Sequence, residues 1–271
     1  EKRGLYRFKI PAPATTVTDV QPAFGFKAKP LGVQGLLWAF DSLYVMINNR
    51  KGKSGLFLAT DGNGDGKLDA MRQIISMRGG SGHGLHAIIP SPDGKTLTIN
   101  AGNMGGLPKK IDDSRVPLVW GEDLLLPRLP DAIGHASTTM APGGWIARIN
   151  PDGSNFELIA TGFRNEYDVT YDRLGELFTF DADMEFDMGT PWYRPTRVCH
   201  VVSGGEYGWR NGSGKWPAYF PDSLPATLDI GPSSPTGVLH GTDARFPTRY
   251  RKAMFICDWS YGQIYAIHLT P

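Results

Sequence analysis

One short unit recurs along this chain: two apolar runs around a tight turn, an insertion, then a third run. The paired runs are Gly35–Phe40 with Leu43–Ile47, Gly84–Ile89 with Thr96–Asn100, Tyr167–Tyr171 with Leu177–Phe180, and Gly237–His240 with Met254–Cys257. The third runs are Gly55–Ala59, Gly144–Ile149, Thr196–Val202 and Gln263–Leu269, and outer fourth strands are predicted at Met71–Met77 and Phe156–Ala160. The runs are rich in β-branched and aromatic residues and bounded by Asp-Gly and Gly-Gly turns, which is strand chemistry. A repeat of this kind predicts four-stranded antiparallel blades stacked around an axis, an all-β propeller. Gly4–Ile10 and Thr16–Val20 read as the last two strands of a preceding blade. The count is three fairly complete blades and two partial ones, an incomplete ring read as one domain over residues 1–271. A β-sandwich would explain the number of strands but not their repeated order. Helix is expected to be scarce, with at most a turn or two in the Pro-interrupted stretch Asp112–Pro130.

Composition fits short strands joined by tight turns, with 34 glycines and 21 prolines in 271 residues. The net charge of +1 and the lack of a basic run exclude a field for nucleic acid. No apolar stretch approaches the ~18 residues needed to span a bilayer as a helix. The start, Glu1-Lys2-Arg3, lacks an apolar signal core, so a mature form or a cut fragment is expected. Cys199 and Cys257 are either a disulfide or two thiols, and neither belongs to a haem-attachment motif.

In an antiparallel meander of strands A to D, the A–B and C–D turns share one end and the B–C and D–A loops the other. Pro92-Asp93-Gly94 and Pro151-Asp152-Gly153 are tight turns of the first kind, so that end is expected to be trimmed. The B–C insertions 103–142 and 181–195 gather at the opposite end, with the D–A segments carrying His83 and Arg164-Asn165. Function is expected there.

Four groups of residues carry chemistry. Asp61, Asn63, Asp65 and Asp69 place oxygen ligands at positions 1, 3, 5 and 9 of a loop whose position 6 is Gly66, the first half of a calcium loop. Position 12 is Arg72, not the bidentate Glu of an EF-hand, and the loop is a C–D connection, so its calcium is expected to be structural; a metal-free polar hairpin is the alternative. Asp181, Asp183, Glu185 and Asp187 alternate in an extended segment and would crowd like charge on one edge. They call either for a hard cation or for neutralisation by Arg194 and Arg197, with Trp192 and Tyr193 as a sugar-stacking platform. His83, in His83-Gly-Leu-His86, is a candidate general base, and a His-x-x-His zinc pair or plain hydrogen bonding are its alternatives. Arg164 can clamp a carboxylate and Asn165 can bond a carbonyl or hydroxyl, or the arginine can tie blades together.

The order His83-Gly-Leu-His86 through Pro92-Asp-Gly94, then Gly162-Phe-Arg-Asn165, then Gly205-Glu-Tyr-Gly-Trp209 resembles the quinoprotein glucose/sorbosone dehydrogenases. Gly35–Tyr44 and the run Asp181–Arg210 are more similar still to membrane-bound-dehydrogenase-like proteins, in which a propeller precedes helical-repeat and haem-binding regions. The resemblance implies a six-bladed-type propeller, periplasmic or extracellular, that oxidises a sugar or polyol. Pyrroloquinoline quinone (PQQ) and calcium are the implied cofactors, and a c-type cytochrome domain outside this chain is the implied electron acceptor. It further implies His83 as the base and Arg164 and Asn165 against the cofactor; Tyr193 and Arg194 are added as candidate cofactor contacts and Arg164 as a candidate second catalytic group. The chain departs from the family in two places: the Asp183/Glu185 segment replaces the Gly-Pro pair whose carbonyls hold the cofactor's calcium, and the Trp259 region replaces a cofactor-binding lysine. A non-redox carbohydrate-binding propeller and a metal-dependent hydrolase or lyase using Asp181–Asp187 are the alternative expectations.

Overall fold

A computed structural model of the chain describes residues 5–12, 16–25, 30–80, 82–120, 136, 139–185, 193–210, 217, 219–221 and 223–270. It begins with a two-stranded ribbon, β1 (Tyr6–Lys9) with β2 (Thr18–Pro22). The first blade follows as β3 (Val33–Ala39), β4 (Ser42–Ile47), β5 (Gly55–Thr60) and β6 (Ala70–Ser76), hydrogen-bonded in that order. The second blade is β7 (Leu85–Pro90), β8 (Leu97–Ala101), β10 (Gly144–Ile149) and β11 (Glu157–Phe163), with the short β9 (Asp113–Ser114) added in parallel outside β11. The third is β12 (Val169–Tyr171), β13 (Leu177–Asp181), β14 (Thr196–Val201) and β15 (Leu228–Gly231), and the fourth is β16 (Pro235–His240), β17 (Ala253–Asp258) and β18 (Gln263–His268). The pairing within each blade is antiparallel, apart from β9, so the chain is an all-β propeller. Among the described residues the one helical element is a 3₁₀ turn, Thr248–Lys252, and no helix is long and apolar enough to cross a membrane.

Period-two alternation builds the core. Successive side chains of a strand point to opposite faces, and here each face meets a different neighbouring blade. On β10, Trp145 packs with Leu85, Ile99, Met46 and Leu56 between the first and second blades. Its neighbour Ile146 packs with Val169, Leu177 and Cys199 between the second and third. On β13 Leu177 faces the second blade, while Phe178 and Phe180 join Val238, Met254 and Ile256 of the fourth. Strands enclosed on both sides are consequently buried throughout, as β8 is, where Thr98 and Asn100 are buried and hydrogen-bonded.

The turns follow their residues. Phe40 and Asp41 both take positive φ, 50° and 52°, the conformation of the two-residue hairpin turn joining β3 to β4. The ribbon forms a two-stranded sheet of its own. Phe24 bridges in parallel to Leu68, and Ala23 and Gly25 exchange backbone hydrogen bonds with Leu68, so the ribbon docks on the Asp61–Asp69 loop. Asp112–Ser114 is extended, not helical: Asp112 and Asp113 donate their backbone N–H groups to Phe156 O. No disulfide joins the cysteines; Cys199 is buried on β14 and Cys257 exposed on β17.

One connection departs from the trimmed end. In the C–D connection of the third blade, residues 204–209 turn back along β11. Thr161 N–H donates to Gly205 O at 3.0 Å, Tyr207 N–H to Thr161 O at 2.9 Å and Trp209 N–H to Gly162 O at 2.8 Å. This segment seals the outer edge of the second blade, and Tyr207 stacks on Phe163 with ring centroids 4.4 Å apart.

Candidate functional site

At the end of the propeller carrying the B–C and D–A loops, four segments are knitted together. His83 lies in the loop entering β7, Asn103 in the loop leaving β8, Arg164 and Asn165 in the loop between β11 and β12, and Asp181 at the end of β13. Asn103 N–H donates to Arg164 O at 2.8 Å and Met104 N–H to His83 O at 2.9 Å, which fixes the second blade's loops against the third's.

Each histidine has its tautomer set by an amide oxygen. His83 Nδ1–H donates to Asn103 Oδ1 at 3.0 Å, so the lone pair of the neutral ring sits on Nε2. Asn103 is buried (3% exposed) and its position is held by its own backbone bond, so the His83 ring is oriented by a fixed partner. His86 Nε2–H donates to Asn165 Oδ1 at 2.7 Å, which leaves Nδ1 bare and buried with no partner. Burial pulls the His86 pKa down to about 4, against the opposing pull of the Asn165 bond, and the ring lies against Tyr167 at 4.3 Å. His86 is therefore neutral near pH 7. Among the described residues no third ligand joins the two histidines, so the zinc reading has no support. Gly102 makes the arrangement possible: a Cβ there would fall 2.5 Å from Asn165 Oδ1 and 2.8 Å from His83 O.

The acidic run does not project as one edge. Asp181 is fully buried and spent on structure: Oδ1 accepts the N–H groups of Arg164 (2.8 Å) and Asn165 (2.9 Å), and Oδ2 accepts Arg197 Nη2 at 2.9 Å. Strand β13 ends at Asp181, and the alternation that would align it with Asp183 ends there too. Glu185 is exposed and pairs with Arg164 Nη2 at 3.0 Å. Asp183 is half-buried and hydrogen-bonded to Tyr193; burial first, then the Glu185 charge, raise its carboxyl above the usual range. Tyr193 is exposed at the rim, its phenol pushed up by burial and by Asp183. Arg194 pairs through its backbone with Met184, closing the base of this loop. Asp187 and Trp192 lie outside the described residues, as do 186–192 generally. Neutralisation by arginine thus accounts for Asp181 and Glu185, the latter through Arg164, a partner the local sequence does not suggest.

At the opposite end, Asp61, Asp65 and Asp69 form a group of three acids with one ligand oxygen each lying within 4.8 Å of the others. The loop is shaped by its own side chains. Asp61 accepts Gly64 N–H (2.8 Å) and Gly66 N–H (2.7 Å), Asn63 Oδ1 accepts Asp65 N–H (2.9 Å), and Asp69 Oδ2 accepts Gly62 N–H (2.8 Å). Arg7 of the ribbon donates to Gly66 O.

No protein-family profile and no curated protein matches the chain. Solved structures do. The PQQ-bound form of aldose sugar dehydrogenase from Streptomyces coelicolor superposes with a TM-score of 0.62 at 14% identity, over 98% of this chain and 71% of that one. The chain shares the β-propeller fold of that structure. A putative glucose dehydrogenase from Thermus thermophilus gives a TM-score of 0.58 at 16% identity, over 93% of this chain and 71% of that one. A further glucose dehydrogenase gives 0.61 at 14% identity, over 93% and 74%. At these identities the propeller fold is what is shared; the residues at the rim speak for themselves. Two of the rim residues were not legible as such in the sequence. Asn103 opens a long insertion and carries no motif, and Gly102 is one glycine among 34.

Proposed function

We propose that this chain, taken as one domain over residues 1–271, is the sugar-oxidising propeller of a quinone- and calcium-dependent dehydrogenase. The observation that carries this reading is the His83–Asn103 pair at the insertion-bearing end of a sugar-dehydrogenase-type propeller. The substrate is an aldose or polyol, the protein works in the periplasm or outside the cell, and electrons leave to a c-type cytochrome domain beyond this chain. Millimolar calcium outside the cytoplasm suits a weak, incomplete loop of the Asp61–Asp69 kind.

PQQ is a polyanion, and the rim admits it only with a cation beside it. Asp183 and Glu185 otherwise oppose its carboxylates, and Arg164 is already half-neutralised by Glu185. The oxygen donors of Asp183 and Glu185 suit a hard divalent ion. With calcium on those two acids, Arg164 and the Tyr193 phenol are the groups positioned to hold an anionic quinone, with Asn165 committed to His86 and the Arg194 backbone to the loop's base. When bound, the quinone supplies the two-electron acceptor that a hydride leaving the sugar carbon requires. His83 takes the hydroxyl proton at Nε2 as that carbon becomes a carbonyl. Asn103 Oδ1 keeps Nδ1–H in place and holds the ring as it becomes imidazolium.

Calorimetric titration of metal-stripped protein with PQQ, with and without calcium, tests the reading. Calcium-dependent binding at micromolar or tighter, followed by dye reduction with aldoses, supports it; no binding under either condition overturns it. In the active protein His83→Asn is expected to lower kcat by roughly 10²–10⁴-fold with quinone binding retained. Asn103→Ala, which frees the ring without removing it, is expected to cost less and to act on kcat.

The Arg164–Glu185 pair favours a second reading, a carbohydrate-binding propeller without redox chemistry, since it leaves less charge for a cofactor. Glycan binding unchanged by His83→Ala, with no turnover, would select it. A hydrolase or lyase built on Asp181–Asp187 is disfavoured, because Asp181 is already hydrogen-bonded through both oxygens.

A further inference from the structure

Beside Asn103, the partner of His83, a pocket of about 350 Å³ opens between Arg78 and the segments around residues 103–107, 120 and 139–145. Its size is within the usual range for a small ligand. Glycine makes the room. A Cβ on Gly106 would fall 2.8 Å from Arg78 Cβ and 3.2 Å from its Nε, and one on Gly143 would meet the Trp209 ring at 2.5 Å.

Among the described residues lining the pocket, Arg78 is the one ionised group, exposed, with no carboxylate partner. Asn103 also lines it. With Oδ1 held by His83, the NH₂ of this buried amide has no partner among the described residues. Thr139 adds a hydroxyl without a side-chain bond among the described residues, and half-buried Trp120 an aromatic face of the kind on which a sugar ring stacks. The larger pocket on the other side of Trp120, about 440 Å³, differs in this respect: there Glu206 and Arg210 neutralise each other at 3.1 Å.

We propose that the pocket beside Asn103 selects an anionic sugar, with Arg78 as the specificity-determining residue. The ring lies on Trp120, Asn103 NH₂ donates to a ring hydroxyl, and the guanidinium takes the carboxylate of a uronate or the sulfate of a sugar ester. One amide then serves both jobs: Asn103 orients His83 with its oxygen and reads the substrate with its nitrogen. The inference rests on the sugar-binding reading of this end and names its substrate class.

The test is binding, measured by calorimetry on the protein without added quinone, using glucuronate, glucose 6-sulfate and glucose. At least one of the two anions is expected to bind about tenfold or more tightly than glucose, with a preference that shrinks in high salt. Which anion wins identifies the group that Arg78 reads. Arg78→Gln is expected to abolish the preference. Arg173→Gln, an exposed arginine on the β12–β13 turn at the other end, is expected to keep it. Equal affinities for all three sugars, binding of none, or a preference that survives Arg78→Gln overturns the proposal. The readout needs no turnover, so failure of the redox reading leaves this result standing. Oxidation of neutral sugars without any anion preference would sink this inference alone.

Discussion

Glu166 carries a cost that its position in a loop hides. Its side chain is fully buried, and neither carboxyl oxygen has a well-formed hydrogen bond, the backbone N–H groups of Glu166 and Trp145 giving it only partial support. The group lies over the α-carbon of Gly144, where a Cβ would come within 2.3 Å of Oε2. Burial, and after it the charge of Asp181, push its pKa well above the usual carboxylate range. The unfolded chain gives up this proton near pH ~4.3, whereas the folded chain keeps it to a higher pH. Between the two values the folded state binds more protons, so its stability is greatest at low pH and falls as pH rises. Glu166→Gln keeps the shape and removes the titration. Urea unfolding from pH 4.5 to 8 should show the variant gaining on the parent as pH rises, by up to about 1.4 kcal/mol per pH unit through the titrating range. A gap that does not change with pH would exonerate Glu166. Gly144→Ala should instead cost about 1–3 kcal/mol at any pH, through overpacking against the same carboxyl.

At the scale of the strand, one device is used twice. The last residue of strand B turns an aspartate back onto the loop that enters its own blade. In the third blade, Asp181 accepts Arg164 N–H and Asn165 N–H. In the fourth, Asp258 accepts Ser234 N–H at 3.1 Å and, from the turn that follows the strand, Ser260 N–H at 3.0 Å. They differ in charge: Asp181 also holds the buried Arg197, which donates to Tyr207 O at 2.7 Å, and Asp258 holds no arginine among the described residues. Asp181→Ala leaves that guanidinium buried beside an empty acceptor and is expected to cost about 3–5 kcal/mol. Asp258→Ala frees two N–H groups and should cost about 1–2 kcal/mol. Denaturant midpoints with unchanged slopes would measure both; equal losses would refute the distinction. The strands themselves were legible because period-two runs and Asp-Gly turns are local signals. The expected pairs and third strands match the observed ones to within a few residues. What escaped was non-local. β15 reads Leu-Asp-Ile-Gly, too short to show a period, and the climb of residues 202–210 along β11 depends on hydrogen bonds to another blade. The four alternating acids promised a shared edge, but alternation holds only while the strand does. Glu166 and Asn103 look like loop polar residues in sequence, and nothing local announces that one is buried without a well-formed hydrogen bond and the other orients a histidine.

Across the whole molecule the two ends of the propeller divide the work. The rim that carries His83 is built from backbone-capped loops, while the opposite end carries the acidic loop onto which the N-terminal ribbon docks. Ala23 and Phe24 of that ribbon share an apolar cluster with Ala59 and Leu68 of the first blade, and Arg7 reaches Gly66 O. The ribbon's attachment therefore depends on the shape of the loop between Asp61 and Asp69. Those three acids converge with no cationic side chain among their hydrogen-bond partners in the described residues, and their repulsion works against the loop's own N–H bonds. A calcium ion that binds only the folded loop adds about 2.7 kcal/mol at a hundred times its Kd, which for a domain of this size raises Tm by roughly 5–10 °C. Chelation should lower Tm by that amount, and Asp61→Asn or Asp65→Asn should make Tm insensitive to calcium while leaving the rim chemistry intact. Because the ribbon rests on this loop, protease cleavage between residues 5 and 25 should quicken on chelation before the blades unfold. A Tm and a cleavage rate that both ignore calcium would mean that the loop's own hydrogen bonds suffice, and that its acids are a polar turn and not a metal site.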